Sequence, residues 1–174
     1  EVRKVRKPYA IVLSDHTHYE IKADQKAVLK TLNPSHTSIP MLRSIFRVSS
    51  DKEKQVEKAR LYATARGIYE CRINGEKITE TFFNPGATQY DRHIQYQTYD
   101  ITDQITAGDN AVGIVLASGW WSDAQTYVLG NYNYYGDRES FLGKIVITYT
   151  DGSEKIYVTD TKNWKYCGNG PWTY

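Results

Sequence analysis

Much of what usually announces a function is missing from this 174-residue sequence. It has no run approaching the ~18 consecutive apolar residues of a membrane span, which excludes a transmembrane helix of the ordinary kind. No glycine-rich phosphate loop is present, so nucleotide binding of that type has no footing. A Gly-x-Ser-x-Gly elbow is also absent, and neither Cys71 nor Cys167 has a histidine nearby in sequence, which removes the common nucleophilic arrangements. Net charge is only +2. The basic cluster Arg3, Lys4, Arg6 and Lys7 is too small for a nucleic-acid footprint. With two cysteines the chain carries no disulfide framework, and a chain of this length buries roughly 70% of its unfolded surface without one. Cys71 alternates with Tyr69 and Ile73 against Glu70 and Arg72 and reads as a small core residue. Residues 1–8 lack the apolar stretch of a signal peptide. A leader removed earlier leaves no trace, so redox compartment and export stay open, a secreted or periplasmic parent included.

Helical periodicity is the other scarcity. Residues 52–58 are charged with only Val56 apolar and read as a loop or solvated turn. What is there instead is alternation with period two, broken by turn clusters. Residues 9–13 form a short apolar run ended by Ser14 and Asp15, and residues 44–48 alternate. Residues 59–65 put Leu61, Ala63 and Ala65 on one face and Arg60, Tyr62 and Thr64 on the other. Gly67 interrupts, and residues 69–73 follow. Asn74-Gly75 is a type I′ hairpin signal, since both residues tolerate positive φ. Residues 77–83 return, closed by Pro85-Gly86. Residues 96–101 form a strand ended by Thr102 and Asp103, where Asp100 or Thr102 caps a turn through backbone N–H. Gly108, Asp109 and Asn110 make a turn before residues 111–117, whose apolar residues on both faces predict a central strand. Asp151-Gly152 joins strands at 141–150 and 155–159, and residues 164–166 supply a last one.

About ten short strands with regular turns predict an all-β antiparallel jelly-roll sandwich with less than about 15% helix, well under the usual globular share. Residues 1–40 read as an N-terminal arm with early strands, part of or linker to something upstream, and residues 41–174 as the sandwich. The chain stops at Pro171, Trp172, Thr173 and Tyr174 without a polar tail, as at a domain boundary.

Fifteen tyrosines and four tryptophans stand against four phenylalanines. Tyrosine suits strands, which accounts for part of this. Its density is highest in one place: Trp120, Trp121, Tyr127, Tyr132, Tyr134 and Tyr135 are six of sixteen residues. With Gly119, Gly130, Asn131 and Asn133 among them, the segment reads as a long loop at one end of the sandwich. An aromatic ring receives the C–H face of a pyranose, while Asn133, Asp137 and Arg138 serve its hydroxyls. Packing against a neighbouring domain explains the same composition equally well. Trp164 and Trp172 belong to the core or to a domain junction.

Asp137 and Glu139 are the carboxyl pair nearest to the spacing glycoside hydrolysis needs, ~6.5–9.5 Å for inversion. Their surroundings read as a charged loop, so no catalytic residue is assigned. His16 and His18 form an H-x-H pair without convincing third and fourth ligands, and neither a metal nor a cofactor is expected.

The run Ala-Arg-Leu-Tyr-Ala-Thr-Ala-Arg-Gly-Ile-Tyr-Glu-Cys-Arg-Ile-Asn-Gly at residues 59–75 resembles the N-terminal β-sandwich domain of bacterial α-L-rhamnosidases of glycoside hydrolase family 78. Asn-Pro-Gly-Ala-Thr-Gln-Tyr at 84–90, Gln-Tyr-Gln-Thr-Tyr-Asp-Ile-Thr-Asp at 95–103, Gly-Asp-Asn-Ala at 108–111 and Gly-Trp-Trp at 119–121 complete the pattern. Together they cover roughly residues 41–174. The shorter theme also resembles galactose-binding-like jelly rolls. The resemblance implies a non-catalytic, substrate-recognising accessory domain. Catalysis then lies in a separate (α/α)₆ barrel of the same parent chain, which hydrolyses terminal α-L-rhamnosides. Partners implied are a rhamnose-containing glycan and the parent's other domains, with no nucleic acid and no membrane. The alternative is a structural spacer that orients the barrel and binds no sugar alone. Which glycan is processed, and whether calcium binds, are open at this point.

Overall fold

A computed structural model describes residues 2–4, 9–12, 18–21, 26–28, 38–123 and 132–172, the first four groups as backbone only. Strands dominate it. Among the described residues, helix is confined to one short α-helical turn, Gly119–Ser122, and a 3₁₀ turn at Thr102–Gln104, as the weak helical periodicity implies. The N-terminal strands β1 (Val2–Lys4), β2 (Tyr9–Val12), β3 (His18–Ile21) and β4 (Lys26–Val28) form two antiparallel pairs, β1 with β4 and β2 with β3. His18 opens β3, while His16 lies outside the described residues.

The sandwich is built from β5 (Met41–Val48), β6 (Val56–Arg66), β7 (Ile68–Ile73), β8 (Glu76–Lys77), β9 (Gln97–Asp100), β10 (Gly108–Ala117), β11 (Ser140–Tyr149), β12 (Glu154–Val158) and β13 (Lys165–Cys167). One antiparallel sheet runs β13-β5-β10-β7-β8 and the other β12-β11-β6-β9. Successive strands cross repeatedly between the sheets, which gives the jelly roll. Alternation sets the inner faces: Leu61, Ala63 and Ala65 from β6, Val112, Ile114 and Leu116 from β10, and Ile145, Ile147 and Tyr149 from β11 are all buried. Small Ala59, Ala63 and Ala65 leave room for the large Tyr69 and Phe141, whose rings meet edge-on at 5.5 Å. Buried Tyr69 keeps its hydroxyl satisfied against Tyr99 (2.9 Å) and Gln97 Oε1 (3.1 Å). Burial, then the Tyr99 hydroxyl, pushes its phenol far above the ordinary range.

Cys71 is buried, and desolvation followed by the Glu70 charge pushes its thiol up to about 12; Cys167 is exposed on β13. Since the thiolate is the reactive form, Cys71 is inert in the folded chain. Titration with a chromogenic disulfide should therefore count one fast thiol per native chain and two after denaturation. Two fast thiols in the native protein would contradict this packing.

Three local expectations are corrected. Residues 52–58 are not all loop, because β6 begins at Val56, pairing with Tyr149 across a register shift. Asn110 is no turn residue. It lies in β10, buried, accepting from Thr106 N–H (2.8 Å) and from Asn74 Nδ2 (2.8 Å) and donating to Thr106 O and Gly108 O. The strand expected over 77–83 stops at Lys77, because Thr79 and Thr81 bond each other and the Thr81 N–H donates to Thr79 Oγ1, turning the chain away from the ladder. Elsewhere the turn chemistry holds. Asn74 and Gly75 both take positive φ between β7 and β8. Asp100 accepts from Thr102 N–H (3.1 Å) and Oγ1 (2.6 Å), bonds that hold its carboxyl below the usual range.

Candidate functional site

The aromatic segment starts where β10 leaves the sheet. Gly67 and Gly119 let two pieces of backbone pass closely: a Cβ on Gly67 (φ +106°) would lie 2.4 Å from the Ala117 carbonyl oxygen, and one on Gly119 (φ +50°) 2.7 Å from Ile68 Cγ2. This crossing fixes the helical turn Gly119–Ser122 and sends its two tryptophans to different environments.

Trp121 turns inward and is only 8% exposed. Its ring stacks on Tyr135 at 6.1 Å and 22°, meets Tyr90 edge-on at 5.6 Å, and carries the Arg66 guanidinium at 5.1 Å. Its indole N–H donates to Arg138 O (3.0 Å), and Gly136 lies against the ring, where a Cβ would stand 2.6 Å from Cζ2. Tyr90 packs edge-on against Tyr135 at 5.1 Å and donates to Gly86 O; burial and then Tyr135 raise its phenol. Trp121 is thus a packing residue, against the expectation of an exposed ring there, and one tryptophan of the pair stays at the surface.

Trp120 is that one, 38% exposed and edge-on to Phe83 at 6.0 Å. Phe82 and Phe83 are 72% and 63% exposed, beside a cavity of about 190 Å³ over Ile68, Val115 and Ala117. Sequence reading missed both by assigning them to a strand. The signal was present: two of only four phenylalanines stand together before Asn84-Pro85.

The remaining candidates fall along one loop. Tyr134 is exposed and rests edge-on against Tyr135 at 4.8 Å. Asn133, at φ +59°, donates its backbone N–H to Ser122 O (3.0 Å). Tyr132 is half-buried, its phenol raised by burial and then by Asp123. Asp137 and Arg138 are exposed, whereas Glu139 is half-buried and accepts the Ser122 hydroxyl, so the two carboxyls have different surroundings. Tyr127 lies outside the described residues. Trp164 packs against the core beside Phe141 (5.8 Å), while Trp172 is exposed.

Two antiparallel sheets of five and four strands, with an aromatic cluster where the central strand β10 ends, define a jelly-roll β-sandwich. Residues 54–173 match the family model described as the α-L-rhamnosidase N-terminal domain, and the chain belongs to that family. An α-L-rhamnosidase of Formosa agariphila is 37% identical over 132 residues, 75% of this chain and 13% of the relative. One from Streptomyces avermitilis is 37% identical over 139 residues, covering 79% and 13%. The crystal structure of the Streptomyces avermitilis α-L-rhamnosidase complexed with L-rhamnose superposes with TM-score 0.70 at 33% identity, over 76% of this chain and 12% of that one. The α-L-rhamnosidase from Dictyoglumus thermophilum does so with TM-score 0.67 at 27% identity, over 99% and 16%. The chain therefore spans about 13% of the length of these curated relatives.

Proposed function

We propose that this sandwich is a non-catalytic substrate-recognition domain of an α-L-rhamnosidase, offering an aromatic edge to a rhamnose-containing glycan. The observation that carries this reading is the exposed Trp120–Phe83 pair at the end of β10, with Tyr134, Asp137 and Arg138 exposed on the following loop. An indole face fits the C–H face of a pyranose, and a carboxylate and a guanidinium suit its hydroxyls. The Streptomyces avermitilis relative, whose structure holds L-rhamnose, supports the choice of sugar.

Titrating the chain with a rhamnose-containing oligosaccharide should give saturable binding. Trp120→Ala should weaken it about tenfold and leave the fold intact. The same chain should not hydrolyse an aryl α-L-rhamnoside. Turnover that vanishes in Asp137→Asn or Glu139→Gln would overturn the non-catalytic assignment. A second reading, a spacer orienting the parent's catalytic barrel, is favoured by the high exposure of Phe82 and Phe83, since such patches commonly meet a neighbouring domain. It predicts no sugar binding by the chain and a loosened parent enzyme on Trp120→Ala.

A further inference from the structure

A second surface stands out on the outer face of the five-stranded sheet. The register aligns Lys165 with Arg43, Arg43 with Gly113, Gly113 with Arg72, and Arg72 with Lys77. Directly opposed residues share a face, so four cations and one glycine form a single row across every strand of this sheet. The flanking Ser44, Val112, Ile114, Cys71 and Ile73 are buried, which turns the row outward. Like charges directly opposite each other are unfavourable. Glu70 offsets part of this, pairing with Arg72 (2.9 Å) and Lys77 (2.6 Å). Among the described residues, Arg43 and Lys165 have no ion-pair partner.

Gly113 is the second observation. It sits in the interior of the central strand, where glycine weakens pairing, and its φ is not positive. A Cβ there would meet nothing within 4 Å, so the fold itself has no steric need for glycine. Glycine inside a strand marks a place where a ligand or another backbone comes close. The space above it is a groove of about 540 Å³, lined by Met41, Arg43, Arg72, Val115, Lys165 and Tyr166 among others. That volume falls within the ~300–1,000 Å³ of small-molecule sites. Arg43 and Arg72 flank the glycine two strand spacings apart, about 10 Å between backbones. From that distance the Arg43 guanidinium, which has no ion-pair partner among the described residues, can present its fork to a carboxylate or sulfate. Arg72, its Nε donating to Glu70 (2.9 Å) and its Nη1 to Gly75 O (3.0 Å), adds positive charge at the groove wall.

We propose that this groove is a subsite for an anionic saccharide, with Arg43 and Lys165 holding a carboxylate or sulfate ester over Gly113 and the Arg72 charge beside it. An open groove with one short row of cations suits a single anionic sugar better than a long acidic protein segment. The proposal takes its ligand class from the sugar-recognition reading above but rests on different residues, and the two are separable by experiment.

The test titrates the chain with three probes: a rhamnose–glucuronate disaccharide, its methyl ester, and a sulfated rhamnoside. The acid should bind at least about tenfold tighter than its ester, and that preference should weaken with salt. Binding of the sulfated probe would name sulfate as an alternative source of the anion. Arg43→Gln should abolish the preference for acid over ester. Gly113→Leu, which fills open space, should block the acid while circular dichroism stays that of the wild type and the melting temperature does not fall. Trp120→Ala should leave the preference intact. Equal affinity for acid and ester would overturn the subsite, even with the Trp120 edge still binding neutral rhamnosides. Loss of all sugar binding on Trp120→Ala would do the same. If none of the probes binds, and Arg43→Gln lowers the melting temperature of the parent enzyme, the row is a domain contact and the proposal fails.

Discussion

Trp121→Ala should destabilise the chain by about 3–5 kcal/mol, the cost usual for removing a large buried aromatic. For a chain of this length that is a fall of roughly 6–20 °C in melting temperature. The loss has several parts. The stacked face of Tyr135, the edge of Tyr90 and the Arg66 guanidinium all lose their partner together, and Arg138 O loses an indole donor. Because Gly136 lies directly against the ring, the surrounding loop has to collapse to fill the space. Trp120→Ala, next door, should cost no more than about 1 kcal/mol, as surface changes do. Urea unfolding of the two variants measures the contrast. Equal and small losses would mean that Trp121 does not hold the loop.

Gly67→Ala should be nearly as damaging, by about 2–4 kcal/mol. Left-handed backbone costs an L-residue roughly 1–2 kcal/mol. The rest comes from the Ala117 carbonyl oxygen, 2.4 Å from the new methyl, which cannot move without shifting the end of β10. Gly75→Ala is the matching control: φ is +93° there, but a Cβ meets nothing within 4 Å, so only the backbone part applies. A larger loss at Gly67 than at Gly75 in chemical denaturation would isolate the clash. Equal losses would show that the close crossing contributes nothing. Displacing this crossing also moves Gly119–Ser122, so sugar binding at Trp120 should fall with stability in Gly67→Ala.

How much of this was legible in the sequence depended on how local its cause is. Alternation placed Leu61, Ala63 and Ala65, and Val112, Ile114 and Leu116, on inner faces, because strand geometry needs no knowledge of the partner strand. Asn74-Gly75 specified its own hairpin through backbone conformation alone. Gly67 was visible as a break, yet its reason, the Ala117 carbonyl, comes from a strand some fifty residues later in sequence. The adjacent Trp120 and Trp121 could not be told apart, since Arg66, Tyr90 and Tyr135 arrive around Trp121 from three separate segments. Phe82 and Phe83 were hidden for the opposite reason: hydroxyl bonds between Thr79 and Thr81 ended a strand that apolar content favoured. The cationic row is invisible without register, because Lys165, Arg43, Arg72 and Lys77 are scattered along the chain.

The central claim is that the Trp120 edge meets a rhamnose-containing sugar, and the indole N–H signals test it most directly. Trp120 lies edge-on to Phe83 at the exposed end of β10, so its indole N–H signal is the reporter of the aromatic edge. In a nuclear magnetic resonance titration with a neutral rhamnose oligosaccharide, the Trp120 signal should shift in a saturable way while those of Trp121, Trp164 and Trp172 stay in place. An unmoved Trp120 signal at saturating sugar, or shifts confined to the other tryptophans, would contradict the account.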